Sequence, residues 1–217
     1  NQQMLRSAIQ VEKPDILWFM TDPRFFPWLW DIENEIRANI PMVYYHVWDN
    51  LPYPKYNKTN YKSTDVIACI SKVTADVVSN VAPEVDSVYL PHAVNEKIFK
   101  KYDPEEIQKF KDENFPFSGE KKIFFWNNRN ARRKLSGSIV YYFNEFAKKV
   151  GPDNVCLVMH TDVKDPHGQD LEKIIQQIGA DDGRIMFTTG KYPPEVLAMM
   201  YNMSTCTINI SDAEGFG

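Results

Sequence analysis

Short apolar runs alternate with amphipathic stretches along the whole chain. The apolar runs cover residues 16–20, 42–46, 66–69, 87–90, 123–126, 155–159, 185–187 and 206–210. Because each run is apolar on both faces, the pattern is typical of parallel strands covered by helices. Helical spacing of apolar residues occupies residues 28–40, 71–81, 137–150, 171–178 and 194–203. The sequence therefore predicts an α/β protein with Rossmann-like parallel sheets.

A polar stretch interrupts this alternation between residues 91 and 119. It is rich in lysine, acidic residues and proline, and a new apolar strand begins just after it. We therefore predict two domains, residues 1–118 and 119–217. Each would hold about four strands, fewer than the roughly five or six of a usual doubly wound sheet. We expect both domains to be incomplete and the chain to be truncated at both ends.

Charge and composition argue against several classes of protein. Lys plus Arg number 25 against 29 Asp plus Glu, a net charge of −4, so no basic excess favours a nucleic-acid partner. No apolar run approaches the ~18 residues of a membrane span, and three cysteines do not suggest a disulfide-stapled secreted scaffold. We expect a cytoplasmic protein. The first glycine is Gly119, so a glycine-rich phosphate loop is excluded from the first half.

A basic segment follows the strand at 123–126. It contains Arg129 and Lys134 and comes just before the predicted helix at 137–150. In a parallel sheet this loop lies at the carboxyl edge, where ligands bind, and the helix start adds partial positive charge. Arginine and lysine there suit a diphosphate. A solvated basic turn explains the composition equally well.

The C-terminal segment 209–217 follows the last predicted strand. Gly215 and Gly217 allow backbone amides to approach a ligand, and the Glu214 carboxylate can accept hydrogen bonds from sugar hydroxyls. The alternative is a tight turn whose acidic residue precedes a further helix.

Taken together and in this order, the two segments resemble the donor-binding domain of retaining GT-B glycosyltransferases. The group is glycosyltransferase family 4-like, group 1, which includes bacterial mannosyltransferases and sucrose and glycogen synthases. Arg129 and Lys134 keep the family's Arg-to-Lys spacing, although Asn128 stands where the family has Gly. The further matches are Gly190 after a strand, the Pro-led helix with Leu197 and Tyr201, and Ser211, Glu214, Gly215, Phe216 and Gly217 in the final motif.

The first half fits the same family more loosely. A Pro-Asp strand entry at 14–17 and a Pro-led strand ending in His46 match it. Residues 90–95 resemble the turn that precedes the second domain in this family. His92, Ala93 and Asn95 differ from the residues that the family usually has there.

This resemblance implies transfer of a hexose from a UDP- or GDP-type sugar to a hydroxyl acceptor with retention of configuration. Arg129 and Lys134 would stabilise the leaving diphosphate, Glu214 would bind the donor sugar, and His46 would reach the transferred sugar or acceptor. The remaining donor-binding residues would be Asn128, Gly190, Ser211, Gly215, Phe216 and Gly217. His46 can equally be a buried histidine with its hydrogen bonds satisfied.

The resemblance also implies partners. The acceptor would be a saccharide or a lipid-linked sugar, with peripheral membrane association as a further expectation and no cofactor besides the donor. A nucleotide-sugar epimerase, a phosphorylase or a non-catalytic α/β binding module are the alternatives. We expect the truncated chain to be poorly active alone.

No metal site is expected. His160, Asp162, Asp165 and His167 carry ligand-type side chains, but their spacing matches no metal signature. The family resemblance likewise implies metal-independent transfer. The aromatic cluster at residues 25–30 is more typical of a core than of a surface for acceptor sugars or membrane.

Overall fold

The computed structural model describes residues 1–216, which form two compact α/β units. The first contains Asn1–Ala93 and residues 213–216, and the second contains Val94–Asp212. The division therefore falls between Ala93 and Val94, earlier than the position at 118 and 119 expected from composition. The physical reason is packing, because Ile107 and Phe110 of the polar stretch join a core of the second unit.

The first unit contains a parallel four-stranded sheet. Its strands are β1 (Leu17–Met20), β2 (Met42–His46), β3 (Val66–Cys69) and β4 (Ser87–Tyr89), paired in the order β1-β2-β3-β4. Its helices are α1 (Gln2–Glu12), α2 (Pro27–Trp30), α3 (Glu33–Arg37), α4 (Lys58–Lys62) and α5 (Lys72–Val81). The α/β class predicted from the alternation is thus confirmed here.

The two faces of this sheet differ. Phe19 and Tyr44 stack 5.1 Å apart between ring centroids, inside a core that takes residues from every helix of the unit. On the opposite face Trp18 and Met20 are 52% and 59% exposed. Tyr45 on that face belongs to a much smaller buried cluster. The helices therefore cover one face of this sheet.

The second unit contains another parallel four-stranded sheet. Its strands are β5 (Lys122–Asn127), β6 (Val155–His160), β7 (Ile185–Thr188) and β8 (Cys206–Thr207), in the order β7-β6-β5-β8. The helices are α6 (Pro104–Asn114), α7 (Ser136–Val150), α8 (Leu171–Gln177) and α9 (Pro194–Met203). One core packs α7 and α8 on one face, and a second packs α6 and α9 on the other. Both faces are therefore covered, as expected for a parallel sheet.

Local geometry departs from the sequence pattern at two elements. The helix predicted over residues 28–40 is interrupted at Asp31 and Ile32, which separates α2 from α3. The interruption accompanies a bond from the Trp30 indole Nε1–H to the Asn60 carbonyl, 3.0 Å long, while Ile36 still enters the core.

The last predicted strand is shorter than expected. Of residues 206–210, only Cys206 and Thr207 pair with β5. Beyond them Asn209 accepts hydrogen bonds from the Ser211 amide and hydroxyl, a local turn that competes with the ladder. No helix within residues 1–216 is both long and apolar enough to cross a bilayer.

Candidate functional site

A basic loop connects β5 to α7 at the carboxyl edge of the second sheet. It includes a short 3-10 turn, Arg132–Lys134, and Leu135, whose left-handed φ of 54° precedes the first turn of α7. Such a backbone is uncommon for a residue with a branched side chain, and strained residues of this kind concentrate at functional sites. Asn128 lies directly after β5 at the same edge.

Arg129 makes a bidentate ion pair within this loop region. Its Nε and Nη2 donate to Asp165 Oδ2 and Oδ1 at 2.6 and 3.1 Å. The Arg129 side chain is 60% exposed and the Asp165 side chain 9%. The Arg129 guanidinium, followed by the His167 amide, holds the pKa of the Asp165 carboxyl well below its usual range. The pair is therefore charged at neutral pH.

His167 adds a further contact to the guanidinium. Its Nδ1 lies 2.9 Å from Arg129 Nη2 and 3.3 Å from Asp165 Oδ1. Because a guanidinium can only donate, the shorter contact makes Nδ1 an acceptor.

Asn130 is the buried centre of this loop region. Its Nδ2 donates to the Gln169 carbonyl at 2.7 Å and to the Val163 carbonyl at 3.4 Å. Its Oδ1 accepts from the Ser136 hydroxyl at 2.6 Å and from the Gln169 amide at 3.2 Å. Gly168 passes so close that an added Cβ would lie 2.0 Å from the Asn130 carbonyl oxygen. Asn130 thus ties the loop after β5 to the loop after β6.

One backbone amide in the first turn of α7 already has a hydrogen-bond acceptor within the protein. The Gly137 amide donates to Gln169 Oε1 at 2.9 Å, and a Cβ at Gly137 would meet that oxygen at 2.4 Å. Anion binding at this helix start therefore depends more on the side chains of the basic loop than the sequence predicts, because one of the orphan amides already has a partner.

The turn that contains Lys134 touches the segment after β8. Lys134 is 7% exposed, so its charged side chain is largely enclosed by protein. The Asp212 amide donates to the Arg133 carbonyl at 2.8 Å. Ser211 is the neighbour of Asp212, so the structure brings two of the predicted site residues, Lys134 and Ser211, into adjoining segments.

Gly190 follows β7 at the same edge. Its φ is 92°, in the left-handed region, and an added Cβ would have no atom within 4 Å. Nearby, Tyr192 stacks on His160 with ring centroids 4.7 Å apart, and His160 Nδ1 lies 2.8 Å from the Thr188 hydroxyl. Burial lowers the pKa of His160.

His46 ends β2 in the first unit, where it is buried and 1% exposed. Its Nε2 lies 2.6 Å from the Tyr61 hydroxyl, and its Nδ1 makes no hydrogen bond within the described part of the chain. Burial lowers the pKa of His46 to about 3, opposed only in part by the charge of Asp22. The ring is thus neutral at physiological pH and enclosed by protein, so contact with a substrate stays a prediction.

Residues 213–216 group with the first unit. A Cβ on Gly215 would lie 2.8 Å from the Val47 carbonyl oxygen, so only glycine fits there without a shift. The Phe216 ring lies 5.6 Å from the ring of His92, whose Nδ1 is 3.0 Å from the Tyr45 hydroxyl. Gly217 lies outside the described residues.

The predicted site residues are therefore divided between the two units. Arg129, Lys134 and Ser211 belong to the second, whereas His46 and Glu214 belong to the first. Their convergence on one ligand stays a prediction.

Sequence reasoning missed Asn130 and gave Asp165 no role beyond a rejected metal ligand. The signal for Asn130 in the sequence is weak, since it is one short polar residue within the basic segment, between Arg129 and Ala131. Within residues 1–216 no group of three or more His, Cys, Asp or Glu side chains is placed to hold a metal ion.

Several solved structures resemble this chain. No family model matches it, and no curated protein matches it in sequence. Anabaena Alr3699/HepE in complex with UDP-glucose aligns with 97% of this chain at a TM-score of 0.72 and 12% identity. A glycosyltransferase from Rickettsia africae ESF-5 aligns with 96% at 0.70 and 15%. An α,α-trehalose 6-phosphate synthase from Burkholderia multivorans aligns with 99% at 0.69 and 14%.

These structures settle the fold. The chain has the fold of GT-B glycosyltransferases. It spans about half of each matched protein, 56%, 54% and 55% of their chains in the order given above. At such low identity a shared fold leaves the activity to be argued from the site.

Proposed function

We propose that this chain binds a nucleoside diphosphate sugar and serves in transfer of its hexosyl group to a hydroxyl acceptor with retention of configuration. The observation that carries the proposal is the cationic loop at the carboxyl edge of the second sheet, joined to the segment after β8 by the bond from Asp212 to Arg133. Ligands of open α/β sheets bind at that edge. One structure with the same fold is a complex with UDP-glucose.

The proposed chemistry places the cations at the leaving group. The bond between the anomeric carbon and the diphosphate oxygen breaks, and its electron pair stays on that oxygen. The acceptor oxygen forms the new bond to the anomeric carbon, and the acceptor proton passes to the departing diphosphate or to solvent. Preorganised cations at Arg129 and Lys134 lower the barrier because negative charge develops on the diphosphate.

The remaining predicted residues would hold the sugar and the nucleotide. Glu214 would accept hydrogen bonds from hydroxyls of the donor sugar, with the backbone at Gly215 and Phe216 beside it. Asn128, Gly190 and Ser211 lie after β5, β7 and β8, the positions at which a nucleotide lies along such an edge. His46 would reach the transferred sugar or the acceptor.

We further propose a saccharide or lipid-linked acceptor and transfer that needs neither a cofactor nor a metal ion. The order of motifs, which resembles that of retaining enzymes, supports the proposal of retention. Transfer should therefore persist in EDTA, and product analysis should find the anomeric configuration of the donor unchanged.

The direct test is a thermal-shift panel of UDP, GDP and ADP sugars. A donor present at about a hundredfold its Kd should raise Tm by roughly 5–10 °C, because ligand binding to the folded state stabilises it. Free glucose and glucose 1-phosphate are the controls, since each lacks the diphosphate. A panel without any shift would contradict the proposal.

Product analysis separates the related enzymes. An epimerase converts the donor without an acceptor, and a phosphorylase requires orthophosphate. The proposed transferase consumes donor only when an acceptor hydroxyl is present.

A further inference from the structure

We propose that Asp165 is a positioning residue, which fixes the Arg129 guanidinium in the orientation that receives a diphosphate. This inference rests on the proposed function. The charge of Asp165 would by itself repel an anionic ligand. Loss of that charge should therefore weaken nucleotide binding if Asp165 positions Arg129, and strengthen it if Asp165 only repels the ligand.

The ion pair leaves one end of the guanidinium unused. Asp165 takes the Nε and Nη2 hydrogen bonds of Arg129, and His167 takes a further one from Nη2. Within residues 1–216, Nη1 donates to no protein atom. A guanidinium gripped along one edge has a fixed plane, and its other edge keeps donors for phosphate oxygens.

The carboxylate itself is held by the fold. Asp165 Oδ1 accepts from the His167 amide at 2.8 Å, and the Gly168 amide donates to the Asp165 carbonyl at 2.9 Å. The Arg132 amide donates to the His167 carbonyl at 3.2 Å, which bonds this loop directly to the basic loop. Asn130 is buried between the two loops, so the loop that carries the Asp165 carboxylate is fixed to the basic loop.

Ion pairs with an exposed partner contribute little to stability unless their geometry is bidentate, as it is here. A control pair of similar geometry therefore separates a contribution to stability from the proposed orientation of Arg129. A second bidentate pair, Asp182 with Arg184, is local in sequence and precedes β7 at the amino edge of the same sheet. That pair serves as the control for loss of an Arg–Asp pair away from the candidate site, with the exposure reversed, since the Arg184 side chain is 12% exposed and the Asp182 side chain 47%.

The test compares nucleotide affinity in four proteins. Calorimetric titrations with UDP, GDP and ADP use the full chain and its Asp165→Asn, Asp165→Glu and Asp182→Asn variants. Asn keeps an acceptor for the His167 amide but loses the charge that orients Arg129. We expect Asp165→Asn to weaken the best nucleotide about tenfold, the usual effect of losing one charge-assisted contact. Asp165→Glu should recover most of the affinity, and Asp182→Asn should match the unaltered chain.

A second readout reports on Arg129 directly. In ¹⁵N NMR spectra its Nε–H resonance should be sharp in the unaltered chain and should broaden or vanish in Asp165→Asn, whereas Asp182→Asn should leave it unchanged. Unchanged Tm in both asparagine variants shows that the fold is intact.

The opposite results are equally clear. If Asp165 merely competes with the ligand as an anion, Asp165→Asn will bind nucleotide more tightly, which overturns the inference. Unchanged affinity, or a sharp Nε–H resonance in Asp165→Asn, also overturns it. If the unaltered chain binds none of the three nucleotides, the proposed function itself fails, and the role of Asp165 fails with it.

Discussion

Asn130 shows how a single buried amide can organise a surface loop. Both polar atoms of its side chain are engaged, and its partners Ser136 and Gln169 belong to two different connections. Replacing it by alanine leaves buried donors and acceptors without partners. Such groups are costly to bury, so the geometry of the basic loop depends on this residue.

We expect Asn130→Ala to lower the free energy of unfolding by about 2–4 kcal/mol. Urea denaturation measures the change. Asn154→Ala is the control, because that exposed side chain makes one hydrogen bond, to the Val150 carbonyl, and should cost less than about 1 kcal/mol. Equal effects of the two substitutions would show that the Asn130 network does not hold the loops together.

His46 makes stability depend on pH. Its pKa is about 3 in the fold against an ordinary value of 6.5, so between these values the unfolded chain binds a proton that the folded chain does not. The free energy of unfolding should therefore fall as pH drops below 6.5, by up to about 1.4 kcal/mol per pH unit, and His46 should add no dependence above 6.5.

The measurement is urea denaturation from pH 4.5 to 7.5, of the unaltered chain and of His46→Gln. The substitution should reduce the slope of unfolding free energy against pH below pH 6.5. Part of the slope should remain, because burial also lowers the pKa of His160. An identical slope in both proteins would mean that His46 accepts a proton in the folded state.

At the scale of elements, β1 has one covered and one open face. Phe19 stacks on Tyr44 in the core, whereas the next residue, Met20, is largely exposed. We expect Phe19→Ala to cost about 3 kcal/mol and Met20→Ala less than about 1 kcal/mol. Paired denaturation curves test this. A larger loss from Met20→Ala would mean that this face is covered in solution.

The elements that could be predicted are those set by local pattern. The apolar runs predicted the position of each strand to within a few residues. The cover on both faces that such runs indicate holds for the second sheet, whereas Trp18 and Met20 are exposed on the open face of the first. The Pro-led helix predicted over residues 194–203 is observed as α9, since proline suits a helix start. The interruption between α2 and α3 could not be predicted, because it accompanies a bond from Trp30 to a carbonyl 30 residues away.

The candidate site was predictable in part. The basic loop and the segment after β8 stand out in sequence, and the topology places both at the carboxyl edge. The pairing of Arg129 with Asp165 depends on two loops meeting in space, which no local pattern records. Cys206 is exposed although it begins the apolar run at 206–210, because β8 is a short strand at the edge of the sheet.

At the scale of the whole molecule, we propose that the diphosphate binds to the second unit. That unit contains the cations, a sheet covered on both faces, and the loop after β7 with Gly190. Residues 213–216, with Glu214, group with the first unit.

The most direct measurement is an amide NMR titration of the ¹⁵N-labelled chain with UDP-glucose, GDP-mannose and ADP-glucose in turn. We expect one of them to shift resonances in the loops at the carboxyl edge of the second sheet, which are residues 128–134, 162–169, 188–192 and 209–212. Shifts confined to residues 118–121, 151–154 and 179–184 at the amino edge, or no shift with any of the three, would contradict this expectation.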